Sequence, residues 1–272
     1  MMNKMIAKNN QGAALLENGY YKDARTVLNS ALAQVRSYIQ NDGKESDDDL
    51  ETLIISDEQG QPDTMEEDYP AARLDASRTL EGACSETTAR RREGIYSVED
   101  ETCSADLNED FVFRHPMFIT PEMNCEDETT IFIASESDCC GRTNEVVLSV
   151  ILVFNIALAH HLLAMDLEHN NAKRPLLLKR AVQLYKLGYS MQVEENDVRL
   201  SLTYTMATIN NWAQITKELN DEQQSKRLFK HLLVSLMVII ESGATDEIDE
   251  IDGFMGNASK IILRDCSFAA AA

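Results

Sequence analysis

Three times along this chain an asparagine stands two residues ahead of a small residue inside an apolar, helix-spaced stretch: Asn10-Gln11-Gly12, Asn155-Ile156-Ala157 and Asn211-Trp212-Ala213. Each is followed by a second stretch carrying one helical stripe: Ala24, Leu28 and Ala31, then Ala181, Tyr185 and Gly188, then Ser225, Phe229 and Leu232. The step from Gly12 to Ala24 equals the step from Ala213 to Ser225. The step from Ala157 to Ala181 is twice as long, so the middle unit carries an insertion in its turn. The physical content of the pattern is close helix packing. A small residue on one helix lets the next approach, and residues four and three apart on the second helix face it. One such hairpin cannot bury its whole apolar face, so the hairpins must stack on one another.

Apolar periodicity places the helices. Residues 1–40 form a first hairpin, with Gly19 as the turn. Residues 144–272 form a second helical region, with helices expected over about 144–168, 174–194, 197–219, 221–242 and 254–264 and an acidic loop, Gly243 to Gly253, before the last. Between them, residues 41–110 hold about 22 acidic against about 6 basic residues, the balance of a disordered or solvating insert. Residues 111–143 differ again. Phe111 to Pro121 is apolar, aromatic and interrupted by Pro116 and Pro121, which argues against a helix and a central strand. With Ile131-Phe132-Ile133 it reads as extended segments that pair with each other and pack on the helices, or else as irregular loop with buried anchors.

The formal net charge of -21 and pI of about 4.6 make a surface that repels phosphate backbones. Nucleic acid and anionic membrane are therefore not expected as partners; basic or extended polypeptides are. Val146 to Met165 is an uncharged run of membrane-spanning length, but Asn155, His160 and His161 lie inside it and no basic flank is close. A buried core helix is the expectation, a membrane span the alternative. Met1 to Ala14 lacks the apolar core of a signal peptide. Cys84, Cys103, Cys125, Cys139, Cys140 and Cys266 are irregularly spaced, as reduced thiols would be. The expected location is the cytoplasm, with the nucleus as the alternative, and not outside the cell.

Asn10 to Val35 resembles a tetratricopeptide repeat, with Gly12, Leu15, Gly19, Tyr21, Ala24, Leu28 and Ala31 on its pattern; the two later units resemble degenerate members. The layout is also similar to a group of tetratricopeptide-like proteins of diatoms to which no activity is assigned. Its marks here are Asn9 to Ala24, the aromatic, Arg- and Pro-containing Phe111 to Pro121, Phe154 to Leu162, Asn210 to Ile215 and His231 to Met237. The resemblance implies helical hairpins in a superhelix or a compact array. Tandem repeats of this class recur at about 34 residues. These units do not, so a compact array with the first hairpin docked on the later helices is the expected form.

If the small residue of each unit faces its partner helix, the asparagine two positions earlier faces elsewhere. Asn10, Asn155 and Asn211 are thus candidates to line a protein-binding groove, hydrogen-bonding the backbone of an extended client. The alternative is that they satisfy one another between units. Lys4 and Lys8 are the only nearby cations and do not match the clamp with which such domains hold chaperone tails. His160 and His161 are adjacent, which is not a metal-ligand spacing. Cys139-Cys140 forms no Cys-x-x-Cys. The acidic loop before Gly253 has Ile248 and Ser259 where a calcium loop needs ligands. Asn257-Ala258-Ser259 is a glycosylation triplet without a secretory context. Arg90-Arg91-Arg92 is short for a localisation signal, and Ser46 and Ser97 precede acids as kinase sites do. No catalytic, cofactor or metal residue is assigned. The expected function is a protein-interaction scaffold or adaptor. A self-associating module pairing Val146–Met165 and Leu232–Ile240 between copies is the alternative, and an enzyme of unknown type the remote one.

Overall fold

In a computed structural model, the residues described are 2–41, 111–120, 130–132, 141–194, 202–243, 245, 248 and 250–269. The acidic insert, the cysteines before Cys266, Arg90 to Arg92, Ser46 and Ser97 fall outside them. Among these residues there are seven helices: α1 (Met2–Glu17), α2 (Tyr21–Asn41), α3 (Gly141–Met165), α4 (Arg174–Glu194), α5 (Leu202–Glu218), α6 (Glu222–Ser242) and α7 (Ile251–Ala269). Two short strands, β1 (Phe118–Thr120) and β2 (Thr130–Phe132), complete the set.

The helix ends follow from local chemistry. Gly19 adopts a left-handed φ of 78°, and the amides of Gly19 and Tyr20 return to the carbonyls of Leu16 and Leu15, which stops α1. Asn220, with φ 64°, does the same for α5, where the Asp221 amide bonds the Thr216 carbonyl. One residue later the Asp221 carboxylate accepts from the Gln224 amide at 3.1 Å and opens α6. Gly243, with φ 76°, closes it. The expected start of α5 at 197 lies outside the described residues, and α7 begins three residues earlier than the spacing suggests, with Gly253 inside its first turn.

Each helix packs on its sequence neighbour from α1 to α7, including α2 on α3 across residues 42–110. The odd helices also meet in pairs, α1 with α3 and α5 with α7. Gly12 lies against Leu28, as the repeat spacing requires: a Cβ there would come within 2.5 Å of the Leu28 Cγ. On α6, Ser225 donates to the Ala213 carbonyl of α5 at 3.0 Å. Helix α3 is apolar all round, as a central helix must be. By length and composition Glu145–Met165 could cross a membrane, yet 94% of its apolar window is covered by the rest of the chain.

The Pro-punctuated segment is extended. β1 pairs with β2 in parallel, Ile119 opposite Ile131, and packs on α1. Phe113, Pro116, Met117 and Ile119 are buried, whereas Arg114 and His115 face outward.

Candidate functional site

An extended chain carries a donor and an acceptor at every residue, and buried ones must find partners. In segment 111–119 they find asparagine side chains. The Phe111 amide donates to Asn257 Oδ1 at 3.1 Å, and its carbonyl accepts from Asn257 Nδ2 at 2.7 Å. Asn211 takes Phe113 in the same way at 2.9 and 2.8 Å. Asn155 takes Met117 at 2.8 Å for both bonds. Asn10 takes Ile119 at 2.9 and 2.7 Å. Each carboxamide thus does what a neighbouring strand would do, offering one acceptor and one donor to a single residue.

Two further asparagines tie these clamps into matching triads. Asn9 donates to Asn10 Oδ1 and to the Met117 carbonyl, and accepts from Asn155. Asn210 donates to Asn211 Oδ1 and to the Phe111 carbonyl, and accepts from Asn257. The Asn9-Asn10-Asn155 arrangement therefore repeats as Asn210-Asn211-Asn257, bond for bond. Five of the six asparagines are buried and Asn10 partly so. Every carboxamide is engaged, as burial demands.

The register has a geometric cause. Only alternate residues of an extended chain face one side, so clamp spacings must be even. Neighbouring helices lie about 8–10 Å apart, and an extended chain rises about 3.3 Å per residue, so each interhelix step needs about 2.7 residues. The observed clamps, at 111, 113, 117 and 119, step by two, four and two, which averages to that value. The short steps fall where odd helices touch, α7 to α5 and α3 to α1; the long one spans α5 to α3. In that long step α3 presents Phe154 beside Asn155, where α1 and α5 have an Asn doublet, and no asparagine takes His115.

Side chains anchor the ends. Gly253 makes room for Phe111: a Cβ there would come within 2.5 Å of the ring. Phe254 meets Phe111 edge-on at 5.3 Å and stacks on Phe113 at 5.8 Å. His115 pairs with Glu250 at 3.0 Å. Behind the clamps, Asn211 Nδ2 also donates to the Tyr185 hydroxyl at 3.2 Å. Burial raises the pKa of Tyr185 well above the usual tyrosine value, so it stays a neutral acceptor. Its ring meets His161, whose pKa is pushed down to about 3 by burial first, then by Arg114 and Arg174, so the imidazole is neutral.

The three sequence candidates, Asn10, Asn155 and Asn211, come together along one segment. They bond an extended backbone, and that backbone is the chain's own. Asn9, Asn210 and Asn257 were not singled out. Asn257 carries the same signal, an asparagine two residues before the small Ser259, beneath its glycosylation triplet. The doublets Asn9-Asn10 and Asn210-Asn211 could have pointed to the other two. His160 and His161 are both buried. Among the described residues no group of three or more His, Cys, Asp or Glu is placed to hold a metal ion. Compared with known protein families, with curated proteins and with solved structures, the chain finds no match.

Proposed function

We propose that this chain is a tetratricopeptide-like scaffold that holds extended polypeptide in the face of its odd-numbered helices. What carries the reading is the double hydrogen bond from each of Asn10, Asn155, Asn211 and Asn257 to one residue of an extended segment. Such bonds recognise a backbone rather than a sequence. Side-chain amides suit the task, because they reach out from helices whose own main-chain groups are already paired. The acidic surface favours clients with basic residues beside the clamped positions.

The test uses the full chain with Phe111→Ser and Phe113→Ser, which weakens the grip on its own segment. A fluorescent peptide of residues 109–121 is titrated into it. Micromolar binding that drops at least tenfold when Asn155→Ala is added supports the reading. No binding to a folded variant removes it.

A second reading, self-association, draws on a different observation. Val234, Met237 and Ile240 stand exposed at 58, 52 and 46%, three residues apart on α6. Of the two helices with which sequence suggests copies would pair, α3 is covered within the chain, which leaves this α6 face. Light scattering across micromolar concentrations separates the readings, since a strict monomer has no use for the stripe.

A further inference from the structure

We propose that segment 111–119 is a resident ligand, held in place of a partner's segment of the same chemistry and displaced by it. This rests on the reading of the helical face as a polypeptide clamp and goes beyond it, in naming the motif, its direction and its competitor.

Along the helices the backbone of the segment is held by side chains alone. Its four clamped N–H and four clamped carbonyl groups are all met by side-chain amides, with no main-chain bond from any helix. Lifting it away costs the pairing of β1 with β2 but leaves every helix with its own ladder intact. The face left behind carries a row of carboxamides, which water satisfies, beside the apolar seats of Phe113, Met117 and Ile119. Phe113, Met117 and Ile119 top the apolar core, which the helices continue beneath them with Leu148, Ile151, Leu152 and Tyr204 fully buried.

The contacts define what a partner must offer. Counted from Phe111 as the first position, free amides are needed at positions one, three, seven and nine, so proline is excluded there. It is accepted at six, where Pro116 sits. Aromatic side chains fit positions one and three, over Gly253 and against Phe254. Position five, the unclamped one, faces Glu250, which the His115 ring meets at 3.0 Å, and the carboxylate there suits a cation. Buried aliphatic side chains fit seven and nine, as Met117 and Ile119 do. The direction is fixed, with the amino end at α7 and the carboxyl end at α1. The partner is thus an extended segment of pattern aromatic-x-aromatic-x-cation-x-aliphatic-x-aliphatic.

Tethering gives the resident segment an effective concentration on the order of mM, so a partner in trans binds the native chain more weakly than it binds an emptied one. The probe is the 109–121 peptide, titrated into the native full chain and into the Phe111→Ser, Phe113→Ser variant. The expected result is binding to both, at least tenfold tighter to the variant. Methylating the peptide's amide nitrogen at Phe113 or Met117 should abolish binding, while methylation at His115 should leave it within about threefold. An apolar patch would not make that distinction. Binding to the variant with none to the native chain at mM peptide leaves the clamp reading standing and overturns the exchange. Binding to neither overturns both. If the variant does not fold, hydrogen exchange in the native chain decides. Amides of Phe113, Met117 and Ile119 exchanging at least tenfold faster than those of Ile151 and Leu158 support release of the segment, and equal rates overturn it.

Discussion

Asn211 sits at the best-buried clamp, and Asn211→Ala is the substitution whose cost can be worked out most directly. The side chain accepts from the Phe113 amide at 2.9 Å and donates to the Phe113 carbonyl at 2.8 Å. It also bonds Tyr185 and Asn210 at 3.2 Å each. Asn210 keeps its bonds to the Phe111 carbonyl and to Asn257, so little is lost there. Phe113 is 1% exposed, and both of its main-chain groups are orphaned. At about 1–3 kcal/mol for each buried unsatisfied group, the loss is about 3–4 kcal/mol. Asn10 is itself only half-buried, so water can enter where its carboxamide stood, and Asn10→Ala should cost only about 1 kcal/mol. Asn211→Asp keeps the acceptor but turns a carboxylate oxygen toward the Phe113 carbonyl in a buried site, and should be at least as damaging as alanine. Because the segment can let go while the helices stay folded, the losses saturate: Asn211→Ala with Asn257→Ala should cost less than the sum of the two. Urea unfolding, followed by far-UV circular dichroism and by the fluorescence of Trp212 beside the site, measures all of these. The control is Asn18→Ala, which removes one exposed bond to the Ala14 carbonyl and should cost under about 0.5 kcal/mol. Asn211→Ala matching that control, or Asn211→Asp matching the native chain, refutes the reasoning.

Gly12→Ala places a methyl group within 2.5 Å of the Leu28 Cγ; despite the better helix propensity of alanine, a net loss of about 1–2 kcal/mol is expected in the urea midpoint. His161 has a depressed folded pKa, about 3 against 6.5, so the unfolded chain takes up a proton that the folded chain refuses. The stability this group contributes is complete above about pH 6.5 and falls by about 1.4 kcal/mol per unit as pH drops below it; His161→Gln should flatten the slope of stability between pH 6.5 and 5.5. Asp221→Ala removes the cap of α6 and should cost about 1 kcal/mol, with Asp221→Asn close to the native midpoint.

The helices were legible because their signals are local. Gly19, Asn220 and Gly243 sit where a left-handed turn ends a helix, and the small residues Gly12 and Ala213 mark close approach. The same spacing argument sent Asn10, Asn155 and Asn211 away from their partner helices, which is where they are found. What they would hold was not legible. Phe111 to Ile119 shows itself in sequence only as extended and apolar, and no local pattern says that its alternate amides meet helices up to 146 residues away. The step of four between Phe113 and Met117 depends on the distance between helices, a property of the assembled layers alone. Asn257 was hidden for another reason, since the triplet around it already had a reading. The internal bonds are present in both forms: Asn9 with Asn155 and Asn210 with Asn257 bond between helices, and all of them hold the chain's own segment.

The order of the clamps along the chain bears on how the protein is made. Only Asn9 and Asn10 precede the segment; Asn155, Asn210, Asn211 and Asn257 all follow it. A ribosome therefore delivers residues 111–119 when one end of their seat exists and the rest is still to be synthesised. Where seating follows synthesis, it runs from Ile119 toward Phe111 as α3, α5 and α7 emerge in turn, since Asn257, which holds Phe111, is made after the other five. Until then the aromatic end of the segment stays available to any chaperone that binds extended apolar chain, and the final helix is the one that withdraws it.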